Sequence, residues 1–245
     1  MKIGQSSNPV LGKKALSRIY ENAGEGTMTI NGTIHKTILA LLLVSLSAYF
    51  TWNHTLATGS LSYGIFGAIG GFAVAILTIF KPQLSHITTP IYAILEGLFL
   101  GGISAFFNQI YPGIAFQAVV LTFGVAFAML FAYRSGLIKA TNKFKKGVVA
   151  ATGGIAIFYL FSMVSSFFGG GISLASMGLM GIGIQLFIVG IAALNLILDF
   201  DRIERLSEQG APKVMEWFGA FGLTVTLVWL YLEILRLLAL LSGRD

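Results

Sequence analysis

The chain has 245 residues, of which 56% are hydrophobic and only 11% are charged, and its formal net charge is +6. Soluble domains carry roughly 25% charged residues, so this composition excludes an ordinary soluble domain and indicates a polytopic membrane protein. The chain contains no cysteine, which excludes disulfides and cysteine-ligated metal sites.

The N-terminal region is polar and precedes the first apolar run. It predicts a cytoplasmic tail over residues 1–32, followed by a transmembrane domain over residues 33–245. Within the tail, Asn8–Ile19 mixes basic and apolar residues and predicts a short amphipathic helix on the membrane surface. No cleavable signal peptide is expected, because the first apolar run begins too far from the start.

Seven apolar runs follow, most of them near the ~20 residues that a helix needs to cross a bilayer. They predict an all-α integral membrane fold with seven transmembrane helices, at about residues 34–52, 61–80, 87–107, 114–133, 147–168, 178–200 and 215–241. Two glycine pairs, Gly67 with Gly71 and Gly97 with Gly101, have the spacing that lets helix backbones approach closely.

Basic residues occur in alternate connections between these runs. Arg134–Lys146 contains five and 201–214 contains three, whereas 53–60, 108–113 and 169–177 contain none. The positive-inside rule therefore places the N-terminus in the cytoplasm and the C-terminus outside. Because these basic residues face anionic lipid headgroups, the expected partner is the lipid bilayer and not nucleic acid.

Carboxylates inside apolar spans are rare and usually face the interior of a bundle. Glu96 lies in the middle of the third run, and two interpretations stay open: a hydrogen-bonded group that joins helices, or a group that lines a cation pathway. Glu233 lies in the last run, three residues before Arg236. That spacing favours an ion pair along one helix face.

Asp199 lies where the sixth apolar run meets a dense cluster of charge. A carboxylate at this position is costly unless it is paired, hydrated or protonated. One candidate partner is Asn195, which lies one turn earlier and is also the second candidate for the cation pathway. Another is the neighbouring carboxylate Asp201. Arg202 or Arg205 can also latch onto Asp199 or Asp201.

Motifs of known enzymes are absent from the sequence. It has no H-E-x-x-H, G-x-S-x-G or P-loop pattern, so we do not expect an enzyme. His35, His54 and His86 lie at span ends in different connections, which argues against a histidine metal site. Ser104 follows two glycines, but no span carries a deep histidine that could activate it.

Four stretches carry a family likeness. They are N-G-T-I-H-K-T at 31–37, E-G-L-F-L-G-G at 96–102, A-A-L-N-L-I-L-D-F-D-R-I-E at 192–204 and G-A-F-G-L-T-V-T-L-V-W-L-Y-L-E-I-L-R-L-L at 219–238. Through them the chain resembles the Bax inhibitor-1/YccA-like superfamily, and specifically its bacterial branch, over roughly residues 28–241.

The resemblance implies six spans around a central last helix, in the bacterial inner membrane. It also implies a pH-sensitive calcium leak controlled by two aspartates, one in the sixth span and one in the last. Asp199 matches the first aspartate, but Thr226 stands in the place of the second. Glu233, two turns further on the same face, or the neighbouring Asp201 would then complete the sensor.

We therefore expect a slow cation leak or exchanger, with calcium as the ion, gated by protonation of Asp199, Asp201 and Glu233. No cofactor is expected apart from this ion, and Asp199 is the candidate calcium ligand. Glu96 and Asn195 offer the oxygen atoms that a hard cation prefers. The alternative is a non-transporting regulator that binds a membrane protease or another membrane protein.

The charge pattern makes a direct prediction about topology. A reporter fused after Lys143 should read as cytoplasmic, and the same reporter inserted at Gly170 should read as external, because basic connections stay inside. Finding both reporters on the same side of the membrane would contradict the arrangement of seven spans.

Overall fold

A computed structural model describes residues 26–169 and 174–243 as a bundle of long helices. In the described residues there are seven α-helices: α1 (Ile30–Thr58), α2 (Ser62–Phe80), α3 (Ser85–Ile110), α4 (Ile114–Arg134), α5 (Asn142–Phe167), α6 (Leu179–Glu208) and α7 (Met215–Ser242). Short 3-10 turns, Pro82–Leu84 and Leu174–Met177, precede α3 and α6. The predicted surface helix at Asn8–Ile19 lies outside the described residues.

All seven helices are long and apolar enough to cross a membrane, which confirms the prediction of seven apolar helices. Several extend beyond the apolar runs because local capping fixes their ends. The Thr29 side chain accepts a hydrogen bond from the Gly32 backbone N–H at 2.9 Å, so α1 begins inside the predicted tail of residues 1–32. Gly59 ends α1 with φ 68°, a left-handed conformation that glycine tolerates.

The last helix packs most extensively against four others: α6, α1, α4 and α3. By contrast, α2 packs mainly on α3, and α5 mainly on α6. The main core brings together side chains from the inner faces of α1, α3, α4, α6 and α7, including Ala40, Leu196 and Leu230, each fully buried. A smaller cluster of Ile155, Ile188 and Ile191 joins α5 to α6.

The two glycine pairs let α3 lie very close to both α1 and α2, as their spacing predicts. A Cβ atom added at Gly97 would collide with the Ser47 side chain and the Val44 carbonyl oxygen of α1. On the other side, a Cβ at Gly67 would collide with the Leu95 and Phe99 backbone of α3. These contacts have no room for even one methyl group, so glycine is a packing requirement there.

The α1–α3 contact gives a stability prediction. We expect Gly97→Ala to lower the free energy of unfolding by about 1–3 kcal/mol, because the new methyl group forces the α1 backbone away. Gly124→Ala is the matched control, since a Cβ at Gly124 meets nothing within 4 Å and should be neutral or stabilising by roughly 0.5–1 kcal/mol. Chemical unfolding in detergent measures both, and equal stabilities would contradict the close contact.

Candidate functional site

Asp199 and Thr226 face each other where α6 packs on α7. The Thr226 hydroxyl donates to Asp199 Oδ2 at 2.5 Å, and the Thr226 residue is 8% exposed. Gly222, one turn earlier on α7, lies under the other carboxylate oxygen, with 3.7 Å between its ideal Cβ position and Asp199 Oδ1. The position where the resemblance implies a second aspartate therefore lies directly opposite Asp199, with a hydroxyl in place of the carboxyl group.

The other groups predicted to contact Asp199 have different roles. Asn195 does not donate to Asp199; its Nδ2 donates to Thr152 Oγ1 on α5 and to the Ile191 carbonyl oxygen, both at 2.8 Å. The Arg202 guanidinium stacks over the Phe218 ring, 5.1 Å from its centroid. In the described residues, the side-chain hydrogen bond of Asp199 is therefore the one from Thr226.

Asp201 belongs to a separate ion cluster. It is 9% exposed and pairs with Lys145 at the start of α5 and with the Arg205 Nε at 3.0 Å. Arg205 thus latches onto Asp201, one of the two alternatives that the sequence left open. Since Asp199 and Asp201 are two residues apart on a helix, they point in different directions, and Asp201 does not serve as the partner of Asp199.

Glu233 forms a third centre, between α5, α6 and α7. It is 1% exposed, and its carboxylate accepts from Tyr159 Oη at 2.8 Å, Gln185 Nε2 at 2.7 Å and Trp229 Nε1 at 2.9 Å. The Arg236 Nη1 also lies 3.2 Å from Glu233 Oε1, so the ion pair expected from their spacing is confirmed. With four donors Glu233 is fully satisfied, and its contacts are with this network and not with Asp199.

A comparison with family models identifies the family of this chain. The model of the family described as "Bax inhibitor 1 like" matches residues 8–243, nearly the whole chain. The protein belongs to the Bax inhibitor-1-like family. No curated protein and no solved structure showed significant similarity to the chain. Together with the seven apolar helices, the match makes this a multi-pass membrane protein.

Glu96, the candidate for a cation pathway, lies in the contact between α2 and α3 of this Bax inhibitor-1-like bundle. It is partly buried, and its Oε1 lies 3.1 Å from the ideal Cβ position of Gly71. Tyr92, one turn earlier on the same helix, is buried. Asn195 has other neighbours, on α5 and α6, so the structure does not bring the two predicted pathway residues into contact.

Sequence reasoning missed a buried charge at the start of α7. Glu216 is 2% exposed and forms an ion pair with Lys36 of α1. Its Oε1 also accepts from the Thr29 backbone N–H and hydroxyl, both at 2.9 Å. A side chain at Gly32 would collide with this carboxylate. The N-G-T-I-H-K-T stretch thus supplies a glycine and a lysine to Glu216, a pairing that no local spacing reveals.

A backbone connection reinforces this junction. Met28, which is 2% exposed, donates its N–H to the Ala211 carbonyl oxygen at 2.7 Å. Lys213 donates its N–H to the Gly26 carbonyl oxygen at 3.2 Å. The segment before α1 is therefore hydrogen-bonded to the connection between α6 and α7, the two helices that carry Asp199 and Thr226.

A polar stripe with a seven-residue period attaches α5 to the bundle. Lys145 pairs with Asp201, Thr152 accepts from Asn195, and Tyr159 donates to Glu233. The buried residues Val148 and Ile155 lie between them. Polar contacts thus alternate with the buried apolar residues along one face of α5, and their spacing is that of side chains that pack between paired helices.

No group of three or more His, Cys, Asp or Glu side chains within metal-binding range occurs in the described part of the chain. Any ion at Asp199 would therefore need oxygen atoms from the backbone, hydroxyl groups or water.

Ser104, considered as a nucleophile from its sequence context, shares a 2.6 Å hydrogen bond with the Tyr231 hydroxyl. This hydrogen bond joins α3 to α7.

The Glu216 junction predicts a large effect of one substitution. Glu216→Ala should destabilise the fold by on the order of 3 kcal/mol, because it leaves Lys36 without its partner in a partly buried place. Glu208→Ala removes an exposed carboxylate from the same end of the bundle and should change stability by less than about 0.5 kcal/mol. Thermal unfolding of the two variants checks this, and similar midpoints would count against the junction.

Proposed function

We propose that this protein is a slow, pH-sensitive cation leak or exchanger of the inner membrane, with calcium as the ion and Asp199 as the group that senses protons. The observation that carries the proposal is the hydrogen bond from Thr226 to Asp199 across the α6–α7 contact. It lies at the one position where the family resemblance implies two facing aspartates.

The choice of Asp199 over three of the other carboxylates rests on the charges around them. Asp201, Glu216 and Glu233 each form an ion pair with lysine or arginine, so their negative charge is already compensated. In the described residues Asp199 forms no such pair and only a neutral hydroxyl contacts it closely. A carboxylate in this state can hold either a proton or a cation, which is the competition that a pH-sensitive leak requires.

The remaining elements of the proposal follow the resemblance and the charge pattern. We place the basic connections and the N-terminus in the cytoplasm, the C-terminus outside, and the other six helices around α7. Asp199 then lies in the cytoplasmic half of the bundle and Glu233 in the outer half. Glu233 and Asp201 act on gating through the helices that they join, and Glu96 contributes to the cation pathway from the α2–α3 contact.

One observation favours the alternative, a non-transporting regulator of another membrane protein. In the described part of the chain, only 11% of the most apolar window of α5 is buried, the smallest share among the seven helices. A membrane helix that exposes most of its surface offers room for a partner helix. This alternative requires no ion flux, so a flux assay with purified protein in liposomes separates the two.

The proposal predicts the pH profile of a single variant. Calcium flux in liposomes should depend on pH between about pH 5 and pH 8 for the parent protein. Asp199→Asn should show at every pH the rate that the parent shows at the acid end, because asparagine resembles the protonated carboxyl group in shape and charge. If Asp199→Asn keeps the parent's pH profile, Asp199 is not the sensor.

Two further variants serve as controls for the pH profile. Asp201→Asn should lower stability but keep a pH-dependent rate, since Asp201 is engaged with Lys145 and Arg205. Thr226→Asp restores a facing pair of carboxylates and should shift the profile. If the parent shows no flux at any pH and only Thr226→Asp does, the regulator function becomes the better conclusion.

A further inference from the structure

A polar cavity of about 400 Å³ opens beside the charged end of α6, where α4 ends. From α4 and the following loop it is lined by Tyr133, Arg134 and Lys139, and from α6 by Asp201 and Glu204. Its volume is in the range of small-ligand sites, roughly 300–1,000 Å³. The proposed leak does not require this cavity.

The local sequence builds one wall of the cavity. Gly136 follows the end of α4 with φ 74°, which reverses the chain. The Ile138 N–H then donates to the Ala132 carbonyl oxygen at 3.0 Å, so the loop folds back along the last turn of α4. This return places Lys139 and Arg134 on the same cavity.

The charges around the cavity favour an anion. Both carboxylates are already engaged, because Asp201 pairs with Lys145 and Arg205 and Glu204 accepts from the Tyr133 hydroxyl. Two cations that line the cavity, Arg134 and Lys139, and two that pair with Asp201, Lys145 and Arg205, together outnumber these two carboxylates.

The two lining cations are still available to a ligand. Arg134 and Lys139 are exposed, and neither enters an ion pair in the residues that the structure describes. A cation would be repelled here, whereas a phosphate can bind an arginine through two parallel hydrogen bonds.

We propose that this cavity binds the phosphate of an anionic glycerophospholipid from the leaflet that faces the basic connections. Arg134 is the last residue of an apolar helix, so the cavity lies at the depth of lipid headgroups. Phe131 and Leu137 next to it are 70% and 75% exposed and offer an apolar surface for the acyl chains. Basic pockets between membrane helices on the cytoplasmic side recognise such headgroups.

Lipid retention tests the site without any flux measurement. The full chain is reconstituted in nanodiscs of phosphatidylcholine, with or without phosphatidylglycerol, and the lipid that stays bound after extraction is counted by native mass spectrometry. The parent should retain phosphatidylglycerol in preference to phosphatidylcholine. The double variant Arg134→Gln with Lys139→Gln should lose about tenfold in this retention, because both phosphate contacts are gone.

A matched control removes the same charge from the same connection. Lys143→Gln with Lys146→Gln keeps the lining of the cavity and should retain phosphatidylglycerol like the parent. If this control loses as much lipid as the lining variant, general attraction to the basic loop explains the binding and the proposal is wrong. Equal retention of phosphatidylcholine by the parent would also overturn it.

Two further measurements complete the test. Soluble glycerol phosphate should compete only weakly, since it lacks the acyl chains; competition as strong as that of phosphatidylglycerol would show a site for free phosphate and overturn the lipid assignment. If the double variant does not fold, Lys139→Gln alone replaces it, with Lys143→Gln as its control, and a smaller but selective loss is expected.

Discussion

Polar side chains buried between helices contact partners on neighbouring helices, and these contacts connect α1, α5, α6 and α7. Ion pairs join Glu216 on α7 to Lys36 on α1 and Asp201 on α6 to Lys145 on α5, while Glu233 connects α7 to α5 and α6 through hydrogen bonds. Helices gain little from apolar contact with one another in lipid. These polar contacts therefore connect α7 to α1, α5 and α6, whereas the contacts of α3 with α1 and α2 depend on glycine packing.

The number of helices could be predicted from the sequence because it depends on a strong local property, the length of each apolar run. The close contacts of α3 could also be predicted, since Gly67, Gly71, Gly97 and Gly101 have a spacing with a simple steric meaning. The ends of the helices were harder to predict, because capping by single residues such as Thr29 and Gly59 extends a helix beyond its apolar part.

The contacts of the charged residues could be predicted only where both partners lie on one helix. Glu233 with Arg236 and Asp201 with Arg205 follow from helical spacing. The pairs Glu216 with Lys36 and Tyr159 with Glu233 join residues far apart in the chain, and nothing in one sequence indicates them. Asn195 was assigned to Asp199 because the two residues share a helix face. The Asn195 amide instead donates to Thr152 on the neighbouring helix α5.

The hydroxyl of Thr226 opposite Asp199 sets the stoichiometry of any response through this pair. Two facing carboxyl groups share protons and titrate in coupled steps that belong to the pair. A carboxyl group facing a threonine takes up one proton in a single, uncoupled step. Such a sensor responds within the single interval of acidity over which one group titrates, whereas two carboxyl groups that repel each other would spread their response over two separated steps.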